Sequence, residues 1–205
     1  MTHSGDTLPD TYIMELVDAC LSSDLNALRN AVQHPHPRAR ILGLRGLARA
    51  DELSEDDWTT LCADPEAEVR REALSEMGSR GRCRITPAQL IELLGDPDAL
   101  VAEGAAYVAG ECLVVECEAA LINIVSTHED ARCRETAVVA LGSLGKDSSR
   151  ATIVAALVDK PTVRRRAIVA LANFEGDDIE EALDRAADDR DWQVRSAVEL
   201  LRRND

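Results

Sequence analysis

The sequence has 205 residues, with 38 acidic against 23 basic side chains and a formal net charge of -15. Such a surface repels nucleic acid and anionic membranes, and no apolar run reaches the length of a membrane-spanning helix, so neither is an expected partner. With only 2% aromatic residues, a core has to be built from Ala, Val, Leu and Ile, which suits closely packed helices better than the strands of a sandwich or barrel.

Residues 1–10 are polar and read as a disordered N-terminus without the apolar stretch of a secretory signal. One domain is expected over 11–205. Thr11–Ser22 is predicted as a helix that caps the first repeat. From Asp24 onward, two kinds of helix alternate. The first kind is short and amphipathic: Asp24–Val32, Glu55–Leu61, Ala88–Leu94, Glu118–Val125, Arg150–Val158 and Ile179–Ala186. The second kind follows segments that align on Arg40, Arg70, Ala102, Arg134, Arg164 and Arg195, at spacings of 30, 32, 32, 30 and 31. Beside that position apolar residues recur at i, i+4 and i+8, as in Val69, Ala73 and Met77 or Val163, Ala167 and Leu171. That is the spacing of one helical face.

Punctuation supports the alternation. Asp64-Pro65, Asp96-Pro97 and Lys160-Pro161 put a proline near the first turn of a second helix. Gly78, Gly110, Gly142, Gly145 and Gly176 fall near second-helix ends and are expected to supply left-handed caps. The predicted architecture is an all-α solenoid of about six two-helix repeats, at about 24–50, 54–80, 86–112, 116–145, 148–175 and 178–204, with the N-terminal capping helix before them.

The line D-P-x-x-x-V-R-x-x-A-x-x-x-(L/M)-G, clearest at Asp64–Gly78, resembles the short HEAT-like repeat of the phycobilin lyase type, from about Asp24 to the C-terminus. The resemblance implies a right-handed superhelix with first helices on the convex side and second helices lining the concave side. It also implies a ladder between neighbouring repeats, with Asp64, Asp96 and Asp189 opposite Arg40, Arg70, Arg134, Arg164 and Arg195. Ala102 interrupts it.

Few constellations suggest chemistry. Short-HEAT proteins of the deoxyhypusine hydroxylase type bind iron through several His-Glu pairs, whereas His128-Glu129 is the one such pair here. Cys112 and Cys117 are too widely spaced for a zinc pair and lack a second pair. His34-Pro35-His36-Pro37 occupies a turn where other repeats read Asp-Pro. Asp56-Asp57 and Asp177-Asp178 adjoin helix starts, where negative charge is favourable. No catalytic residue, metal or cofactor is therefore predicted. The six cysteines, Cys20, Cys62, Cys83, Cys112, Cys117 and Cys133, are expected to be core thiols in a reducing cytoplasm.

The residues that remain for function lie on the second helices. Counted from the apolar residue beside the ladder arginine, offsets 0, 4, 5, 7 and 8 are expected to be buried and offsets 2, 3, 6 and 10 to face the hollow. This predicts a partner-binding strip of Tyr107, Val139 and Val169, bordered by Glu103, Glu135, Arg165, Arg166 and Arg71. Two readings stay open for the strip: an interaction surface, or valines half covered by curvature. Arg164-Arg165-Arg166 is either a docking point for an acidic ligand or one ladder residue beside a solvated face. Two functions fit. The first is a non-catalytic scaffold (adaptor, inhibitor or immunity-type binder) for another protein, for which a basic patch is the easy electrostatic match. The second, implied by the resemblance, is an accessory subunit of a cofactor-attaching enzyme of the bilin lyase kind.

Overall fold

The computed structural model describes residues 8–204. Among the described residues the chain is helical throughout, without a strand. It forms two compact units, one running to Arg80 and one beginning at Gly81. The first holds α1 (Asp10–Ser22), α2 (Leu25–Val32), α3 (Pro37–Ala50), α4 (Glu55–Cys62) and α5 (Ala67–Ser79). The second holds α6 (Pro87–Leu94), α7 (Ala99–Glu111), α8 (Glu118–Thr127), α9 (Ala131–Leu144), α10 (Arg150–Ala155), α11 (Pro161–Leu171), α12 (Asp177–Ala187) and α13 (Trp192–Asn204). Of the expected disordered stretch 1–10, residues 1–7 lie outside the described residues; Leu8 is buried and Asp10 opens α1.

Local chemistry sets the helix starts. Asp24 caps α2 by accepting from the backbone N–H groups of Asn26 and Ala27, while Ser54 with Asp57 and Thr86 with Gln89 form reciprocal capping boxes. Proline opens α3, α6 and α11, where its missing N–H costs nothing. The run Arg150–Val158 is α-helical only to Ala155 and finishes as a 3-10 turn at Ala156–Val158.

Packing then follows the second-helix face. In the N-terminal unit α3 packs on α1, α2 and α5; in the C-terminal unit α7 packs on α9, α9 on α11 and α11 on α13. Offset 0 is fully buried in all six second helices (Ala39, Val69, Val101, Cys133, Val163 and Val194). Within each unit a second helix thus packs on its own partner and on the next second helix, which is how repeats too small to fold alone share a core.

Glycine departs from the expected left-handed cap at four of five positions; Gly176, at φ 137°, precedes α12 as its N-cap. Gly78, Gly110 and Gly142 lie inside α5, α7 and α9. A Cβ on Gly110 would come within 2.9 Å of Ala140 Cα, and one on Gly142 within 2.7 Å of Ala170 Cα. Gly110 and Gly142 let neighbouring second helices approach closely. Gly145 does cap α9 in the left-handed conformation, at φ 60°, but Ser23 and Asp51 do so for α1 and α3.

The Arg–Asp ladder is present and largely buried. Arg40 donates to both carboxylate oxygens of Asp64 at 2.7 Å, Arg134 to Asp159 at 2.6 and 2.7 Å, and Arg164 to Asp189 at 2.9 and 2.7 Å. Each arginine also ties down the turn before its own helix: Arg40 reaches the carbonyls of His34 and Pro35, Arg70 those of Asp64 and Pro65, Arg134 those of His128 and Glu129. Asp159 is the ladder acid missing from the expected set. Its carboxylate accepts from the very next backbone N–H, Lys160, whereas Asp64, Asp96 and Asp189 accept from two residues on. The shorter turn hides Asp159 from an alignment anchored on the proline.

Candidate protein-binding face

In the C-terminal unit the second helices leave one face uncovered, and offset 6 runs along it. This row is Tyr107, Val139, Val169 and Leu200, carried on the consecutively packed α7, α9, α11 and α13. Tyr107 is 44% exposed, Val169 52% and Leu200 58%, while Val139 is half-buried. The rim residues are placed as follows. Glu103, Glu135 and Arg165 are half-buried, and Arg166 is exposed. Arg166 donates through Nε to Glu135 at 3.1 Å, and Arg165 donates to the side-chain oxygen of Gln193 at 3.1 Å. Arg71 lies exposed on α5, in the N-terminal unit. There Arg45, at offset 6 of α3, forms a two-point ion pair with Glu72 at 2.5 and 2.8 Å.

Each unit has a hollow of its own. In the N-terminal unit a cavity of about 380 Å³ lies among Val17, Leu21, Leu42, Arg45, Arg49 and Arg80. In the C-terminal unit one of about 430 Å³ gathers Arg165, Arg166 and Val169 of α11 with Trp192, Ser196 and Leu200 of α13. The structure thus brings three of the expected strip residues together, with Tyr107 and Val139 outside the hollow on the same row. Trp192 is the residue that sequence reading missed. At its register position the other second helices carry Pro37, Ala67, Ala99, Ala131 and Pro161, so a tryptophan in a chain with 2% aromatics was a signal available from the start. It is 65% exposed.

The histidines and paired aspartates singled out in the sequence have structural work. His34 and His128 accept through Nδ1 from the backbone N–H of His36 and Asp130, filling the place of the turn aspartate. Asp57 closes the cap of α4, and Asp178 pairs with Arg150. Burial pushes the Cys117 and Cys133 thiols up to about 11, so they are protonated at neutral pH. Among the described residues no group of three or more His, Cys, Asp or Glu side chains could hold a metal ion, and no helix is long and apolar enough to cross a membrane.

The profile of the HEAT-repeats family matches residues 87–162 and, overlapping them, 118–202. The chain belongs to the HEAT-repeat family. Solved structures bear out the solenoid fold of this HEAT-repeat protein. A crystal structure of an engineered protein superposes with a TM-score of 0.65 at 18% identity, covering 86% of this chain and 94% of the other. A second engineered protein gives 0.66 at 18% identity, with coverage of 88% and 98%. A designed armadillo repeat protein in complex with the peptide (KR)4 gives 0.59 at 15% identity, with coverage of 94% and 97%. No curated protein sequence matches the chain.

Proposed function

We propose that this HEAT-repeat chain is a non-catalytic scaffold of adaptor, inhibitor or immunity type, which holds another protein on the open face of its second helices. The observation that carries this reading is the row Tyr107, Val139, Val169 and Leu200, apolar and mostly exposed, bordered by Glu103, Glu135, Arg165 and Arg166. Exposed apolar area within a charged rim is the composition of a protein interface. Buried rungs from Arg134 and Arg164 hold α9 and α11, which bear the middle of the row, so little ordering entropy is lost there on binding. The peptide complex of the designed armadillo protein supports a peptide or protein as the kind of partner. The net charge of -15 favours approach by a partner with a basic patch, and a reducing cytoplasm suits three thiols buried in the core, Cys62, Cys117 and Cys133.

The test is affinity purification with quantitative mass spectrometry, using matched variants on the two faces. Tyr107→Ala and Val169→Ala on the second helices are compared with Glu92→Ala and Asn123→Ala, both exposed on first helices. The row variants should lose a stoichiometric partner, with Tyr107→Ala costing about 2 kcal/mol or more of binding as a hot-spot residue does. Loss of the partner in the first-helix set alone would place the interface elsewhere.

A further inference from the structure

The hollow between α11 and α13 has a chemistry opposite in sign to the net charge of the chain, and unlike the N-terminal hollow, which Glu76 also lines, it has no acid in its wall. Its lining includes two arginines, Arg165 and Arg166, and no carboxylate, in a chain with a net charge of -15. The nearest acid in contact is Glu135, which engages Arg166 through Nε alone. Beside the guanidinium groups stand Val169, Trp192 and Leu200, exposed by 52%, 65% and 58%. A volume of about 430 Å³ is that of a small ligand pocket and accepts one or two apolar side chains.

Taking the scaffold reading as its basis, we infer that this hollow is the seat for an acidic-apolar protein segment, in which a leucine or phenylalanine is flanked by Asp or Glu. The apolar side chain packs against Trp192, Val169 and Leu200, and the flanking carboxylates accept from Arg165 and Arg166. Guanidinium matches carboxylate geometry with paired N–H donors, and an exposed tryptophan offers rigid contact area at low entropic cost. Long-range charge and local charge then act separately: the field of the whole chain guides approach, and the hollow reads one acidic segment. A second copy stacked on α13 fits worse. The positions that stack in other second helices, offsets 5 and 8, are Leu74 and Met77 in α5 or Ile168 and Leu171 in α11, but Glu199 and Arg202 in α13, and such a dimer would bury both charges.

The experiment titrates the full chain with a fluorescein-labelled peptide, Glu-Asp-Leu-Phe-Glu-Asp, by fluorescence polarisation, with (Lys-Arg)4 and a Ser-flanked Leu-Phe peptide as comparators. Trp192 emission is followed in parallel with unlabelled peptide, since Trp58 is buried and 4% exposed. The acidic-apolar peptide should bind at least about tenfold more tightly than either comparator, weaken as salt rises, and shift the tryptophan emission. Arg165→Glu with Arg166→Glu, and separately Trp192→Ala, should each weaken it by about tenfold or more. Arg166→Gln, which leaves the Arg165–Gln193 bond in place, is the milder variant should the reversals disturb helicity. Equal binding of (Lys-Arg)4, no measurable binding of the acidic peptide, or binding indifferent to the arginine and tryptophan variants overturns the assignment. So does a concentration-dependent dimer that Trp192→Ala abolishes. A partner lost with Tyr107→Ala but retained in the Trp192 and arginine variants would leave the scaffold reading standing and remove only this one.

Discussion

Ala102 and His128 occupy the two places at which other repeats put an arginine and the aspartate that receives it. Ala102 is fully buried at the register of Arg134 and Arg164. His128 holds its turn by accepting from the Asp130 N–H at 3.1 Å, as Asp189 does from Asp191 at 2.8 Å. Both halves of the rung are exchanged together, so neither an unpaired guanidinium nor an unpaired carboxylate is left in the packed ladder, an arrangement that would cost about 3–5 kcal/mol. The interruption of the ladder is a matched replacement.

Ala102→Arg by itself should therefore destabilise the protein by several kcal/mol, since it buries a guanidinium opposite an imidazole (roughly 3–5 kcal/mol for an unpaired buried charge). Adding His128→Asp should recover part of the loss, with a coupling of about 1–3 kcal/mol in a double-mutant cycle. Urea unfolding of the four proteins measures it. Strictly additive losses would show that positions 102 and 128 do not form a latent rung.

The intact rungs predict a pH response. Hydrogen bonds from Arg134 hold the Asp159 carboxyl below the ordinary carboxylate range, and those from Arg164 do the same for Asp189. A folded-state pKa below the unfolded value, about 3.9 for aspartate, gives stability that is fully present above that value and is lost as pH falls through the depressed folded pKa. Asp159→Asn and Asp189→Asn should each cost about 1.5–3 kcal/mol at pH 7, the range for a hydrogen bond to a charged group. The double variant should also lose less melting temperature than the wild type between pH 5 and pH 2. Equal acid sensitivity in both would remove the rungs as its source.

Close approach and backbone handedness separate two neighbouring glycines. Gly142→Ala would drive a methyl to 2.7 Å from Ala170 Cα and should cost about 1–3 kcal/mol as overpacking. Gly145→Ala meets nothing within 4 Å but keeps φ at 60°, so its cost is the left-handed backbone of about 1–2 kcal/mol. Ala170→Gly removes the Cβ at 2.6 Å but keeps the Cα at 2.7 Å, so it should relieve only part of the first and leave the second unchanged. Thermal melts of the single and paired variants distinguish the two.

Thiol labelling checks the core. With Cys117 and Cys133 pushed up to about 11, chiefly by burial, and Cys62 also buried, these three should react with Ellman's reagent only as fast as the protein opens. In denaturant all six thiols should react together. Rapid native labelling of Cys133, followed by peptide mapping, would contradict its placement against the Ala99 carbonyl at 3.1 Å.

What was legible in the sequence is what repeats within it. The 30- to 32-residue period, the i, i+4, i+8 face from Val69 or Val163, and the prolines at helix starts specify helix, partner helix and buried side, because each depends on residues within a turn or two of one another. The same periodicity located Tyr107, Val139 and Val169 on one row, and the structure keeps them there. Tertiary packing alone decided the rest. That Gly142 faces Ala170, that Arg134 finds Asp159 across a shortened turn, and that Arg165 and Arg166 share a hollow with Trp192 all depend on how one repeat settles against the next. Such contacts join residues some 25 to 30 positions apart, at distances set by side-chain volume and turn length, and a single helix's pattern carries no record of them.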